Sequence, residues 1–195
     1  MTTAAYFDSL YQTPDPFQYR ARWYEARKRA LTLACLTRQR YRNAWELGCS
    51  NGVLTAALAE RCDALLATDL NANALAEAAV STRHAPHVRL AQASHPEQWP
   101  EGRFDLIVVS EVGYYLGPQD VVTLAAKLRA SLDDEGLLLA CHWRHPFEQA
   151  RSSAIAVHRA FARGLDEVFC YQDDDLLMQG WSTGPVSVAR WEGLR

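Results

Sequence analysis

Short apolar runs alternating with helix-patterned segments constrain this chain more than any other feature of its sequence. Ala44–Leu47 reads as a first strand, followed by a helix over Val53–Arg61 opened by Ser50 or Asn51. Ala64–Thr68 is a second strand with Asp69 at its C-terminal end, and Asn71 caps an alanine-rich helix reaching about Thr82. Val88–Ala93 is a third strand. Phe104–Ser110 (FDLIVVS) is a fourth, almost wholly apolar, as a strand covered on both faces should be. Pro118 begins a helix that ends near Leu132 before an Asp-Asp-Glu-Gly turn, and Leu137–Trp143 is a fifth strand. A helix from Pro146 to about Arg163 precedes weaker strand patterns at Glu167–Tyr171 and Val186–Trp191, which fit an antiparallel hairpin at the sheet edge. Upstream, after a loose start containing Pro14 and Pro16, residues 18–36 read as a helix with Trp23, Arg27 and Leu31 on one stripe and Tyr24 alongside. Strand–helix alternation implies right-handed crossovers, hence an α/β fold with a mostly parallel sheet and helices on both faces. One domain is expected over residues 1–195, with 1–42 a helical lid segment and 43–195 the core.

Composition narrows the class. Hydrophobic residues are 49% and charged residues 22% of the chain, the balance of a globular domain able to bury its own core. The start, Met1-Thr2-Thr3-Ala4-Ala5-Tyr6, has no basic and apolar leader pattern, and no apolar run approaches the roughly 20 residues of a membrane span. A cytoplasmic enzyme without membrane contact is expected. Cys35, Cys49, Cys62, Cys141 and Cys170 show no C-x-x-C spacing, against a disulfide framework or a thiolate zinc site. His84/His87 and His142/His145 each offer two imidazoles without a third ligand, so no metal is expected. Between Arg20 and Arg42, eight basic residues face Glu25 alone, whereas residues 43–195 hold 12 basic and 20 acidic residues. The basic stretch lacks interleaved stacking aromatics, which favours a solvated helix face over a nucleic-acid surface.

In an open α/β sheet, ligands collect where the strand order reverses, at the C-terminal strand ends. Four features fall there. Glu46-Leu47-Gly48-Cys49-Ser50-Asn51-Gly52 joins the first strand to its helix; glycines allow a tight turn and close backbone approach. The pattern departs from the G-x-G-x-x-G of pyrophosphate binders, and Glu46 before it favours a cationic group over a diphosphate. S-adenosylmethionine, with an ammonium, a sulfonium and no phosphate, fits that exchange. Asp69, 21 residues beyond Gly48, is placed to accept both hydroxyls of a ribose, with Leu70 beside it. Ser94, after the third strand, stands where a purine would lie. Glu111, Tyr114 and Tyr115 follow the fourth strand, and His142 and Trp143 end the fifth.

The stretches WYEARKRALTLACL, RYRNAWELGCSNGVLTAALAERCDALLATDLN, FDLIVVSEVGYYL and LLLACHWRHP resemble class I S-adenosylmethionine-dependent methyltransferases, and more narrowly the nodulation protein S family. The likeness runs from about residue 15 to residue 150 and continues more weakly beyond. It implies a Rossmann-like, mostly parallel seven-stranded sheet and S-adenosyl-L-methionine as cofactor. It also implies a small soluble substrate, such as the free amine of a partly deacetylated chitooligosaccharide. Glu46, Gly48 and Gly52 match the cofactor loop, Asp69 the ribose acid and Glu111 the residue closing the fourth-strand motif. Ser94 stands where relatives often carry aspartate, and Ser50 where many carry glycine.

Methyl transfer from a sulfonium needs chiefly an aligned nucleophile and a dry site. Glu111 or His142 is expected to orient the acceptor amine, with Tyr114, Tyr115 and Trp143 as the substrate wall. Trp23 and Tyr24 are expected to face inward from the lid, with Arg27 on the methionine carboxylate or left on the surface. Other readings share parts of the pattern. A hydrolase elbow would use Ser50 with Asp105 and His142 or His145, leaving Glu46 and Asp69 without purpose. A short-chain oxidoreductase needs Tyr-x-x-x-Lys after the fourth strand, whereas that spacing occurs only at Tyr24 and Lys28. An RNA methyltransferase would carry an Asn/Asp-Pro-Pro-aromatic motif where Ser110-Glu111-Val112-Gly113 stands. A non-catalytic domain on the same fold remains open, although an intact set of Glu46, Gly48, Gly52 and Asp69 argues against it.

Overall fold

The computed structural model describes residues 3–195. Its strands are β1 (Ala44–Leu47), β2 (Leu65–Asp69), β3 (Val88–Gln92), β4 (Phe104–Ser110), β5 (Leu132–Trp143), β6 (Asp166–Gln172) and β7 (Leu176–Ser182). They form a seven-stranded sheet in the order β3-β2-β1-β4-β5-β7-β6. Strands β1 to β5 run parallel, and β7 lies antiparallel to both β5 and β6. The helices are α1 (Thr3–Leu10), α2 (Trp23–Ala34), α3 (Val53–Ala59), α4 (Ala72–Ser81), α5 (Pro118–Ser131), α6 (Ala154–Phe161) and α7 (Val188–Trp191). The chain winds outward from β1 to β3, then crosses back to β4 and winds the other way. The reversal opens a crevice above the ends of β1 and β4.

The apolar central strands explain why both faces are covered. Along β4, Ile107 and Val109 join a core with α5 and α6, while Leu106 and Val108 join another with α2 and α3. Leu138 and Leu139 of β5 divide the same way. Each such side chain contributes roughly 1.5–3 kcal/mol by leaving water. Asp105 is the charged exception within β4. Its oxygens accept the backbone N–H groups of Arg42 at 2.9 Å and Asn43 at 3.0 Å, anchoring the entry to β1.

Several boundaries differ from the sequence expectation. The loose start contains α1, and α2 occupies only the middle of residues 18–36. The Asp-Asp-Glu-Gly turn is a bulge inside β5: Phe104 pairs with Leu132, but Leu106 pairs with Leu137. The helix expected from Pro146 begins only after Ser153, whose hydroxyl caps it through Ala156 N–H. The antiparallel edge exists, but β7 lies at Leu176–Ser182. Residues 186–191 instead contain α7, capped by Ser187.

Candidate functional site

The turn after β1 is built by its backbone. Gly48 has φ +78°, and its N–H and that of Cys49 both donate to the Thr68 carbonyl, at 2.8 and 2.9 Å. A Cβ at Gly48 would stand 2.2 Å from Val112 Cγ2. Ser50, at φ +51°, donates its N–H to Asp69 Oδ2 at 2.8 Å, and Asp69 Oδ1 accepts from Asn71 N–H at 2.9 Å. The two bonds fix the Asp69 carboxylate facing the crevice and leave lone pairs for other donors. Gly52 requires a correction. It does not line the cleft; its φ of +74° and the approach of Ala78 Cα, 2.7 Å from a Cβ built there, serve packing between α3 and α4. Gly52 itself is the N-cap of α3 without a side-chain bond, so neither Ser50 nor Asn51 caps it; Asn51 donates instead to Asp15 Oδ1.

Glu46 is 2% exposed, and its Oε2 has no hydrogen-bond partner. Burial pushes its carboxyl up to about 8, against the opposing influence of the nearby Thr55 hydroxyl and with a smaller push from the Asp69 charge. An open oxygen on a buried carboxyl is costly, and a donor placed beside it would relieve that cost.

A cavity of about 770 Å³ extends from this turn, large enough for a nucleoside together with a second small molecule. Gly48, Ser50, Asp69, Leu70 and Ser94 line one end, and Glu111, Tyr114, Tyr115, Trp143 and Phe147 the other. A narrower compartment of about 40 Å³ lies beside Glu46, walled by Lys28, Arg29 and Thr32. Residues before α2 form the roof. The Tyr11 hydroxyl bonds Ser50 Oγ, Asp15 accepts from Asn51 at 2.9 Å, and Asp8 accepts from Asn71 Nδ2 at 2.8 Å. The roof is therefore α1 and the segment after it, joined by one face of α2. Tyr11 and Tyr19 are site residues that sequence reasoning missed: Tyr11 lies in the stretch read as a loose start, and Tyr19 in residues read as helix that instead form the turn before α2.

Helical phase separates the α2 residues. Tyr24, Glu25 and Lys28 face the cleft. Trp23 and Arg27, one turn apart on the neighbouring stripe, do not, and both expectations are corrected. Trp23 is 78% exposed, and Arg27 pairs with Asp173 at 2.8 Å and donates to the Tyr171 hydroxyl at the β6–β7 turn. In their place stands an ion cluster: Lys28 Nζ lies 2.9 Å from Glu25 Oε2 and 2.9 Å from Glu111 Oε1. Burial alone would depress the Lys28 ammonium, but the Glu111 and Glu25 charges outweigh it and hold it above the ordinary lysine value. Glu25 was also missed; Glu25 and Lys28 at i and i+3 were the available signal.

Glu111, at φ +60°, lies in the cleft as expected, but both its oxygens are engaged. Oε1 accepts from Lys28, and Oε2 accepts from Trp143 N–H at 2.9 Å and from the Tyr114 hydroxyl. Glu111 thus braces the turn after β4 against β5 and the lid. His142 is corrected from a cleft residue to a buried one, fully removed from solvent. The strand alternation of β5 turns it toward α6. Its Nε2 accepts from Gly113 N–H at 3.0 Å, so Nδ1 carries the proton and donates to His158 Nε2 at 2.9 Å. His158 Nδ1–H then donates to Gln179 Oε1 at 2.8 Å. Ser94 is exposed at the cleft end, its N–H bound by Gln98. Behind it the His95 ring lies edge-on to Trp45 and bonds Thr68 Oγ1 at 3.0 Å.

The geometry excludes the hydrolase elbow. Asp105 sits at the opposite end of β4 from Ser50, and Ser50 Oγ is bonded to Tyr11 rather than to an imidazole. The Tyr24 and Lys28 pair is not an oxidoreductase dyad, since Lys28 is clamped by Glu25 and Glu111. Among the described residues, no group of three or more His, Cys, Asp or Glu side chains could hold a metal ion. No described helix is long and apolar enough to cross a membrane.

Comparison with known proteins gives a consistent set. A family model described as nodulation protein S (NodS) matches residues 7–175. Nodulation protein S of Sinorhizobium fredii (strain NBRC 101917 / NGR234) is 32% identical over 111 residues, 56% of this chain and 50% of that one. That of Rhizobium tropici is 32% identical over 104 residues, 53% and 44% of the two chains. The chain thus spans about half the length of the curated relatives it matches. Among solved structures, a Pseudomonas syringae protein assigned to the methyltransferases is 46% identical, with a TM-score of 0.73 over 83% of this chain and 99% of that one. The N-methyltransferase NodS from Bradyrhizobium japonicum WM9, in complex with S-adenosyl-L-homocysteine, superposes with a TM-score of 0.84 over 93% of this chain and 98% of that one. At 23% identity this last likeness is one of fold.

Proposed function

Because the chain belongs to the nodulation protein S family, we propose that it is an S-adenosylmethionine-dependent methyltransferase that N-methylates a small soluble amine, such as an amino sugar or chitooligosaccharide amine. One observation carries the cofactor assignment: the buried Glu46, with its Oε2 unpartnered, near the end of β1, and the outward-facing carboxylate of Asp69, at the end of β2, flank the same turn. Two carboxylates on either side of Gly48 suit a ligand with an ammonium at one end and a ribose at the other. An ammonium beside Glu46 stabilises its ionised form, whereas a pyrophosphate there would oppose it.

The residues present fit that cofactor. Glu46 meets the ammonium, and Arg29, in the narrow compartment beside it, favours the methionine carboxylate. Asp69 accepts the ribose hydroxyls, while Leu70 and Ser94 border the nucleoside end. When bound, S-adenosylmethionine supplies an electrophilic methyl group on a sulfonium. The protein supplies alignment and exclusion of water. Tyr24, Tyr115, Trp143 and Phe147 wall the acceptor end, and their ring faces suit a sugar. Glu111, saturated by three donors, holds those walls in register and leaves deprotonation of the amine to solvent before binding.

Isothermal titration calorimetry tests the cofactor. S-adenosylmethionine and S-adenosylhomocysteine bind, a nicotinamide dinucleotide does not, and Asp69→Ala weakens binding by at least about 100-fold. Tight dinucleotide binding would sink the assignment. For the acceptor, radiolabelled methyl transfer to amino sugars, small amines and RNA is compared. Failure of every amino sugar removes that substrate class and leaves the cofactor reading standing.

A further inference from the structure

The turn after β4 brings Glu111, Tyr114 and Tyr115 to the acceptor end, and three consecutive residues of β5 hold it. The Cys141 carbonyl accepts from Glu111 N–H at 2.8 Å, the His142 imidazole accepts from Gly113 N–H at 3.0 Å, and Trp143 N–H donates to Glu111 Oε2 at 2.9 Å. The first bond extends the β4–β5 ladder, and the third belongs to the Glu111 cluster. Only the middle one depends on a side chain of β5, and that side chain is fully removed from solvent. Packing against the turn is tight here. A Cβ at Gly113 would stand 2.5 Å from Val157 Cγ1 and 3.1 Å from His142 Nε2. The Tyr114 ring lies edge-on to the His142 ring with centroids 5.0 Å apart, and its hydroxyl donates to Glu111.

One backbone N–H also sets the polarity of everything behind it. Because Gly113 N–H can only donate, His142 Nε2 is bare and its Nδ1–H donates to His158. His158 Nδ1–H donates to Gln179 Oε1, and Gln179 Nε2 donates to Glu167 Oε2 at 2.7 Å. Four side chains from β5, α6, β7 and β6 therefore share one direction, from the turn to an exposed carboxylate. Apolar side chains of similar volume would fill the same space without the cost of burying two imidazoles. A satisfied buried chain instead fixes one arrangement of the elements it joins. Resting on the methyltransferase reading above, we propose that His142 is a positioning residue for methyl transfer: through Gly113 N–H and the Tyr114 ring it holds Glu111 and Tyr115 where they align the acceptor, and His158 keeps it in the accepting tautomer. His142 meets neither cofactor nor acceptor, and it moves no proton in the reaction. Its loss leaves the cofactor bound and the acceptor misaligned.

Two variants separate the bond from the volume. His142→Leu removes the acceptor of Gly113 N–H, whereas His142→Gln places an amide oxygen as many bonds from the backbone as Nε2. The assay is methyl transfer to a glucosamine tetramer with free amines and to benzylamine. In His142→Leu, kcat is expected to fall about 10- to 100-fold. KM for S-adenosylmethionine and calorimetric affinity for S-adenosylhomocysteine are expected to stay within about threefold of wild type. His142→Gln is expected to recover kcat to within about fivefold of wild type. Wild-type kcat in His142→Leu would overturn the proposal, and so would equal losses in the two folded variants. A larger loss of cofactor affinity would place the effect at the turn after β1, also against it. Should thermal unfolding show that His142→Leu does not fold, His158→Leu and His158→Gln repeat the comparison one link further from the cleft. A wild-type protein that binds cofactor but methylates neither amine has no acceptor alignment for His142 to serve, which overturns the proposal as well. One that binds no S-adenosylmethionine fails earlier, at the reading of the site itself, and the calorimetry separates the two.

Discussion

At neutral pH the Glu46 carboxyl, pushed up to about 8, is protonated in the ligand-free protein. An ammonium placed beside it stabilises the ionised form, so binding at pH 7 should release a proton. Calorimetric heats for S-adenosylhomocysteine should therefore vary with the ionisation enthalpy of the buffer, and Glu46→Gln should abolish that variation. The histidine pair makes a second pH-dependent contribution, of opposite sense to a salt-bridged histidine. Burial, and for His142 the neighbouring imidazole, depress both groups, His158 to about 4. The unfolded chain takes up these protons near 6.5, so stability is full above that value, falls as pH drops toward 4, and then levels off for His158. The His158 share is roughly 3 kcal/mol. Urea midpoints measured at pH 7.5 and 4.5 should differ accordingly, and a His158→Asn variant with an undiminished difference would contradict this. Gly48, Ser50, Asp69 and Leu70 were legible in the sequence because chain connectivity alone carries them to the crevice. Trp23, Arg27 and His142 were not placed correctly, because facing inward depends on the rotation of a helix about its axis or on strand alternation. Those are set by packing that appears only in three dimensions.

Elements followed their local chemistry where a cap or a buried run marked them. Asn71 caps α4 by accepting from Ala74 N–H at 3.0 Å; Asn71→Ala should cost about 1 kcal/mol in thermal or urea unfolding. Gly52→Ala should cost about 1–3 kcal/mol, from its left-handed backbone and the contact with Ala78, while leaving cofactor affinity in the folded fraction nearly unchanged. A large change in affinity with intact stability would show that Gly52 touches the ligand after all. The edge hairpin shows why pattern reading failed there. Residues 186–191 carry strand-favouring side chains in Val186, Val188 and Trp191, yet Ser187 caps a helical turn. Leu176–Ser182 does not alternate, because β7 lies between β5 and β6 and is buried almost throughout. Its apolar run was the signal of an interior strand.

Across the whole molecule, the uneven charge has a structural explanation. The basic residues between Arg20 and Arg42 meet acids of the body: Arg20 pairs with Glu77, Arg27 with Asp173, Lys28 with Glu111, Arg40 with Asp63, and Arg42 with Asp105 and Asp133. The excess of cations in the lid segment thus answers the excess of carboxylates in the core. The roof adds further ties through Asp8, Tyr11 and Asp15. Removing those three together (Asp8→Ala, Tyr11→Phe, Asp15→Ala) should speed S-adenosylhomocysteine release by about tenfold in stopped-flow measurements, and an unchanged rate would show that the roof does not retain the ligand. Ser50 joins two of these scales. Its backbone occupies a conformation that glycine would adopt with less strain, while its hydroxyl is the latch that Tyr11 grips. Easing the bend with glycine would release the catch, so comfort in the hinge and residence time of the ligand are written into one side chain and cannot be tuned apart.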